Sequence, residues 1–183
     1  SQHFTLKNIV PFDLGLTLDC GQAFRWSITD DGCFEGIAMG KYLKIKQNGS
    51  DLVFYNTTEA EFKNIWQGYF DLERDYNEIL NRAKENELLL KITENCGGIR
   101  LLRQDPWEAL CSFIISQNNN IPRIKGIINR LCENFGEKID GGYTFPPAER
   151  LKDLSIDDLS VLRAGFRAKY ILSAAKKCCY DID

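Results

Sequence analysis

The chain has 183 residues, of which 44% are hydrophobic and 27% charged, and its formal net charge is −3. That composition excludes a disordered polymer, and no apolar run approaches the roughly 18 residues of a membrane-spanning helix. Seven cysteines without C-x-x-C spacing and a single histidine, His3, argue against a disulfide framework or a metal site, so neither metal nor cofactor is expected. Ser1-Gln2-His3-Phe4 lacks the basic start and apolar stretch of a signal peptide, so a cytoplasmic protein with reduced thiols is expected. The charge is uneven: residues 1–95 carry 10 Lys/Arg against 15 Asp/Glu, whereas residues 96–183 carry 13 against 11. Contact with a polyanion is therefore expected in the second half, and locally.

The first third reads as antiparallel sheet. Phe24–Ile28 is a short aromatic run, Asp30-Asp31-Gly32 supplies a turn, and Cys33–Met39 follows, closed by Gly40. Tyr42–Lys46 alternates apolar and polar residues. Asn48-Gly49 is a hairpin signal, because both residues tolerate positive φ, and Asp51–Tyr55 returns. These runs predict a meander of about four strands. Thr58-Glu59-Ala60-Glu61 is a capping box, opening a helix with Phe62, Ile65, Trp66 and Tyr69 on one face.

Tyr76, Ile79, Leu80 and Ala83 mark a second helix, and Leu88, Leu89 and Ile92 a third, ending near Gly97-Gly98. Pro106 suits the first turn of a helix predicted to bury Leu110, Phe113 and Ile114 and to run to about Gln117. The next helix begins near Ile121-Pro122 and carries Ile124, Ile127, Ile128 and Leu131 to Phe135-Gly136. Short helices are predicted around Ala148–Leu151 and Ile156–Leu162, and a final one from about Arg167 through Tyr170, Ile171, Ala174 and Ala175. The expected division is a sheet-rich domain with helices over residues 1–94 and a helical domain over 95–183.

Three segments are too particular for plain scaffolding: Leu18–Trp26; Leu102–Trp107, leading through one helix to Ser116–Arg123; and Leu162–Tyr170. Asn118-Asn119-Asn120 between two apolar helices makes a good corner, since Asn caps helices and tolerates left-handed backbone. It also presents donors and acceptors suited to base edges, with Arg123 one turn further on. Phe166 beside Arg167 is either core packing with a solvated cation, or an aromatic wedge with a guanidinium partner for nucleic acid. Gly21 is either a plain turn residue or a special backbone position. No phosphate loop, G-x-S-x-G or paired-histidine motif occurs, and a nucleophilic cysteine lacks a nearby histidine.

Together and in this order, Cys20-Gly21-Gln22-Ala23-Phe24-Arg25-Trp26, Leu101-Leu102-Arg103-Gln104-Asp105-Pro106 and Asn118-Asn119-Asn120-Ile121 resemble signatures of the 8-oxoguanine DNA glycosylase family. The resemblance covers nearly the whole chain. It implies an α+β fold: an antiparallel β-meander packed with helices, followed by the α-helical part of a helix-hairpin-helix glycosylase. It implies a protein that flips the damaged base out of double-stranded DNA containing 8-oxoguanine during base excision repair; a monomer without membrane association is expected, since nothing in the sequence points to more. In a bacterium such a protein would be nucleoid-associated.

By the same resemblance, Asn118 and Arg123 would contact the cytosine left behind, with Arg167 also reaching it. Phe166, a Tyr in many relatives, would fill the gap, and the Gly21 carbonyl would read the lesion. Oxidation turns guanine N7 from an acceptor into an N–H donor, so a fixed carbonyl is satisfied by the lesion and faces a lone pair in normal guanine. A lost buried hydrogen bond costs on the order of 1–3 kcal/mol, roughly tenfold to hundredfold in discrimination.

The family's catalytic lysine sits in a hairpin, ahead of a Gly/Pro-rich loop and a catalytic aspartate; it attacks C1′, expels the base and forms a Schiff base. No hairpin resembling Leu-Pro-Gly-Val-Gly precedes a lysine in this sequence. Lys169, Lys176 and Lys177 are therefore not assigned as nucleophile, and no catalytic residue is assigned. The chain is expected to be an N-terminal part, truncated before the helix-hairpin-helix and inactive by itself. Two other readings stay open: a non-catalytic module that recognises distorted duplex, and an α+β interaction scaffold.

Overall fold

The computed structural model describes residues 2–180. They form strands β1 (His3–Leu6), β2 (Trp26–Ile28), β3 (Phe34–Ala38), β4 (Lys41–Asn48) and β5 (Asp51–Tyr55), with helix α1 (Leu14–Asp19) between β1 and β2. Next come α2 (Glu59–Glu61), a π-helical turn (Phe62–Trp66) and α3 (Gln67–Tyr69), then α4 (Tyr76–Ala83) and α5 (Glu87–Cys96). The helical part follows with α6 (Pro106–Ser116), α7 (Ile121–Phe135), a small hairpin of β6 (Lys138–Ile139) and β7 (Gly142–Tyr143), α8 (Ala148–Leu151), a 3-10 turn (Asp158–Leu162) and α9 (Arg167–Tyr180). The protein is α+β, as the sequence implied.

Two compact units emerge. The first runs to Glu35 and continues over Leu43–Arg103; the second takes the hairpin tip Gly36–Tyr42 and the chain from Gln104 onward. The division expected at Glu94 falls inside α5.

The sheet of the first unit has the order β1-β5-β4-β3-β2, so the predicted meander gains a fifth strand. β1 lies antiparallel to β5, pairing His3 with Tyr55 and Leu6 with Leu52. Strand alternation turns Leu43, Ile45, Leu52 and Phe54 inward. Helical residues cover them with rings: Phe62 lies 5.0 Å from Phe54 and 4.3 Å from Phe4, and Phe70 lies 6.1 Å from Phe54. The threonine half of the capping box forms, Thr58 accepting from the Glu61 N–H at 3.1 Å.

A polar cluster fixes the end of the first unit. Buried Asp71 accepts from the Tyr76 hydroxyl (2.8 Å) and from Arg103 Nε (2.7 Å). Arg100, stacked 4.3 Å from the Tyr76 ring centre, donates to the carbonyls of Asp71 and Arg74. Burial pushes the Asp71 carboxyl up, but the Tyr76 and Arg103 hydrogen bonds outweigh it and hold it below the usual carboxylate range.

In the second unit, α7 buries Ile124, Ile127, Ile128 and Leu131 as its spacing predicts. The expected face of α6 is overturned. Phe113 is 64% exposed and Leu110 and Ile114 are not buried, whereas Cys111, Ser112 and Ile115 turn inward. The run Ala109-Leu110-Cys111-Ser112-Phe113-Ile114-Ile115 is apolar or small all round, so spacing alone could not choose its buried side. Burial pushes the Cys111 thiol far up, keeping it neutral.

Candidate nucleic-acid interface

The corner between α6 and α7 divides three consecutive asparagines among three tasks. Asn120 is the N-cap of α7, its side chain accepting from the Arg123 N–H at 3.0 Å. Asn119 donates to the Ile115 carbonyl at 3.0 Å, closing the end of α6, and accepts from the Asn120 N–H at 3.0 Å. Asn118 makes the reversal itself, at φ +48°, a conformation that a short polar side chain tolerates. It is exposed, and among the described residues its side-chain amide has no partner.

Arg123 occupies the first turn of α7, is exposed, and has no side-chain partner among the described residues. That turn holds no acidic residue. A cation at the positive end of a helix is unfavourable by about 0.3–1 kcal/mol, and an anion there is stabilised by helix and guanidinium together.

The end of α6 leaves backbone carbonyls without helical partners. Ser116 and Gln117 side chains satisfy the Phe113 carbonyl, and the Gln117 N–H reaches that of Ile114. Those of Gln117 and Asn118 are taken by Arg167: Nη2 donates to Gln117 O at 2.6 Å and to Asn118 O at 2.8 Å, and Nε to Gln117 O at 3.1 Å. Arg167 is only 2% exposed. In this structure its guanidinium lies inside, on carbonyls that the end of α6 would otherwise leave bare.

Phe166 is 54% exposed rather than packed in the core, with the Arg167 guanidinium 4.5 Å from its ring centre. The turn before it is held from α7, where Arg130 Nε donates to the Leu162 carbonyl at 2.9 Å. Phe166 and Tyr170, edge to face at 6.2 Å, line a groove of about 380 Å³ with Phe113, Ile114 and Gln117. The apolar outer side of α6 forms one wall of this groove. Sequence reasoning missed Phe113 and Tyr170 as surface aromatics, although the Phe166–Tyr170 spacing is that of one helix face.

Gly21 belongs to the first unit. It is exposed at φ +86°, backbone that L side chains rarely adopt, with open space where a Cβ would stand. Its neighbour Gln22 anchors the loop: Nε2 donates to the carbonyls of Thr17 and Arg100, both at 2.9 Å, and Oε1 accepts from the Leu102 N–H at 3.0 Å. The first two sequence signatures thus meet in one amide bridge, a role for Gln22 that required the coordinates. Among the described residues no cluster of His, Cys, Asp or Glu is arranged to hold a metal, and no helix is long and apolar enough to cross a membrane.

The family model described as 8-oxoguanine DNA glycosylase, N-terminal domain, matches residues 5–110. The chain belongs to the 8-oxoguanine DNA glycosylase family. A second model, HhH-GPD superfamily base excision DNA repair protein, matches residues 111–179. An N-glycosylase/DNA lyase of Saccharomyces cerevisiae is 48% identical over 90 residues, 46% of this chain and 24% of the relative. Among solved family structures, MBOgg1 in complex with a low-affinity DNA ligand superimposes with a TM-score of 0.94 at 39% identity, covering 100% of this chain and 65% of that one. The Clostridium acetobutylicum 8-oxoguanine glycosylase/lyase, bound to double-stranded DNA with cytosine opposite 8-oxoG, gives 0.91 at 42% identity, covering 97% of this chain and 62% of its own. The chain therefore spans less than two thirds of the length of these family relatives.

Proposed function

We propose that this chain is the DNA-gripping part of an 8-oxoguanine DNA glycosylase/AP lyase of base excision repair, and that by itself it binds duplex without excising the lesion. One observation carries the reading. Asn119 and Asn120 spend their side chains on capping at the α6–α7 corner, while the Asn118 amide and the Arg123 guanidinium are exposed and, among the described residues, without a side-chain partner. Arg167 ties this corner to the exposed Phe166. An amide, a guanidinium and an aromatic wedge suit an orphaned cytosine and a gapped base stack.

In this reading Asn118 and Arg123 hydrogen-bond the base opposite the lesion, Phe166 fills the vacated space, and the Gly21 carbonyl accepts from the N7–H of the flipped 8-oxoguanine. The relatives' names and DNA complexes support the substrate. Lesion-containing duplex is the test. Arg123→Ala should lower affinity by on the order of 1–3 kcal/mol, and unchanged binding removes the DNA face. Borohydride added to the 183-residue chain on 8-oxoguanine duplex should trap no adduct; a covalent adduct places the nucleophile within these residues and overturns the binding-only part.

A further inference from the structure

We propose that Arg130 is a positioning residue for the aromatic wedge: reaching across from α7, it fixes the turn that presents Phe166. The inference rests on the proposed DNA face and deepens it, because it names what sets the wedge in place against the rest of that face. The turn itself calls for outside support. Between the 3-10 turn and α9 the chain takes two left-handed steps, at Arg163 (φ +52°) and Gly165 (φ +61°), with Ala164 buried between them. Glycine adopts such backbone freely, whereas an ordinary L side chain resists it. The support comes from Arg130, whose Nε donates to the Leu162 carbonyl at 2.9 Å. That carbonyl belongs to the peptide unit entering the first left-handed step, so the bond orients the plane from which residues 163–165 lead to Phe166. Leu162 is fully buried, and its carbonyl would lose this donor without gaining water in exchange.

The donor is seated as well. Gly126 lies one turn before Arg130 on α7, and a Cβ there would stand 3.3 Å from Arg130 Nη1 and 3.9 Å from Nη2. Glycine is unfavourable inside a helix. Here its missing side chain leaves room for the guanidinium to lie against the helix surface. Arg130 follows Arg123 by two turns, about 10 Å along the same axis. One rigid helix therefore presents Arg123 and holds the turn of Phe166, so both parts of the face share a single reference.

The test uses a duplex with a tetrahydrofuran abasic site opposite cytosine and 2-aminopurine beside it. Entry of the ring changes the 2-aminopurine emission, and Phe166→Ala defines the value without it. At saturating protein, Arg130→Met should move the emission toward the Phe166→Ala value. Arg130→Lys keeps a donor for the carbonyl and should recover much of the change. Affinity completes the cycle: Arg130→Met should weaken binding roughly threefold or more, alone and with Arg123→Ala, but not further in Phe166→Ala. An emission change equal to that of the unsubstituted chain overturns the proposal. A loss of affinity that persists in Phe166→Ala, or a salt slope shallower by about 0.9, makes Arg130 a direct phosphate contact and overturns it too.

A measurement on the unsubstituted chain covers the case in which Arg130→Met does not fold. The scalar coupling between Arg130 Nε and the Leu162 carbonyl carbon should be present with and without the duplex, and its loss on binding also refutes the role. The two readings fail separately. If Phe166→Ala and Arg123→Ala bind duplex like the unsubstituted chain, the DNA face itself is wrong. If they weaken binding while Arg130→Met leaves emission and affinity unchanged, only the positioning role is wrong.

Discussion

Three consecutive asparagines should give three different phenotypes when removed one at a time. Asn120→Ala deletes the N-cap bond to the Arg123 N–H, a loss of about 1 kcal/mol. For a chain of this size that lowers the unfolding midpoint by roughly 2–4 °C. Asn119→Ala deletes two bonds, to the Ile115 carbonyl and from the Asn120 N–H, so about 1–2 kcal/mol is expected. Asn118 is tested with glycine rather than alanine, because its φ of +48° would strain a Cβ and confound the result. Asn118→Gly removes an amide without a partner among the described residues, so stability should stay within about 0.5 kcal/mol. Its duplex affinity should nevertheless fall by roughly tenfold to a hundredfold, the loss of one or two base-edge hydrogen bonds. Thermal unfolding monitored by circular dichroism and fluorescence anisotropy with a labelled duplex separate the two effects. The reasoning is refuted if Asn118→Gly destabilises the fold as much as Asn120→Ala, or binds duplex undiminished.

The Asp71 cluster makes stability depend on acid. Its carboxyl is held below the ordinary range, so its contribution is complete above the unfolded value of about 3.9 and is lost as pH falls through the folded value. Urea unfolding should show unsubstituted protein more stable than Asp71→Asn at pH 7, with the gap narrowing at pH 3; a gap independent of pH argues against the assignment. Gly136 closes α7 where a Cβ would stand 2.0 Å from the Thr144 carbonyl oxygen and 2.6 Å from that of Cys132. Both obstacles are backbone, so Gly136→Ala should cost about 1–3 kcal/mol in thermal unfolding, and an unchanged midpoint contradicts the packing described.

The strongly patterned elements could be read without coordinates. Asn48-Gly49 turns the β4–β5 hairpin, Thr58 caps its helix, and the isoleucines of α7 face inward. What escaped lacked such a pattern. His3–Leu6 is only four residues long, and a partner strand more than forty residues away makes it a strand. The inward side of α6 was misjudged because both sides are apolar, and tertiary packing made the choice. At the candidate site the residue types were visible and their division of labour was not. Nothing in Asn-Asn-Asn says which amide caps and which faces out, and nothing in Phe-Arg says that the ring is exposed while the cation lies inside.

On the proposed DNA face, position 118 answers to two demands of unrelated origin. Chain reversal there admits glycine, asparagine or aspartate without much strain. Recognition of a base edge asks for a neutral group that both donates and accepts a hydrogen bond, which glycine lacks and which aspartate replaces with an anion amid phosphates. Only asparagine meets both conditions, so tolerance to substitution at this site should be far narrower than at Asn119 or Asn120, where other caps can serve. A saturation library selected first for folding and then for duplex binding would pass a few residue types at 118 in the first round and essentially one in the second.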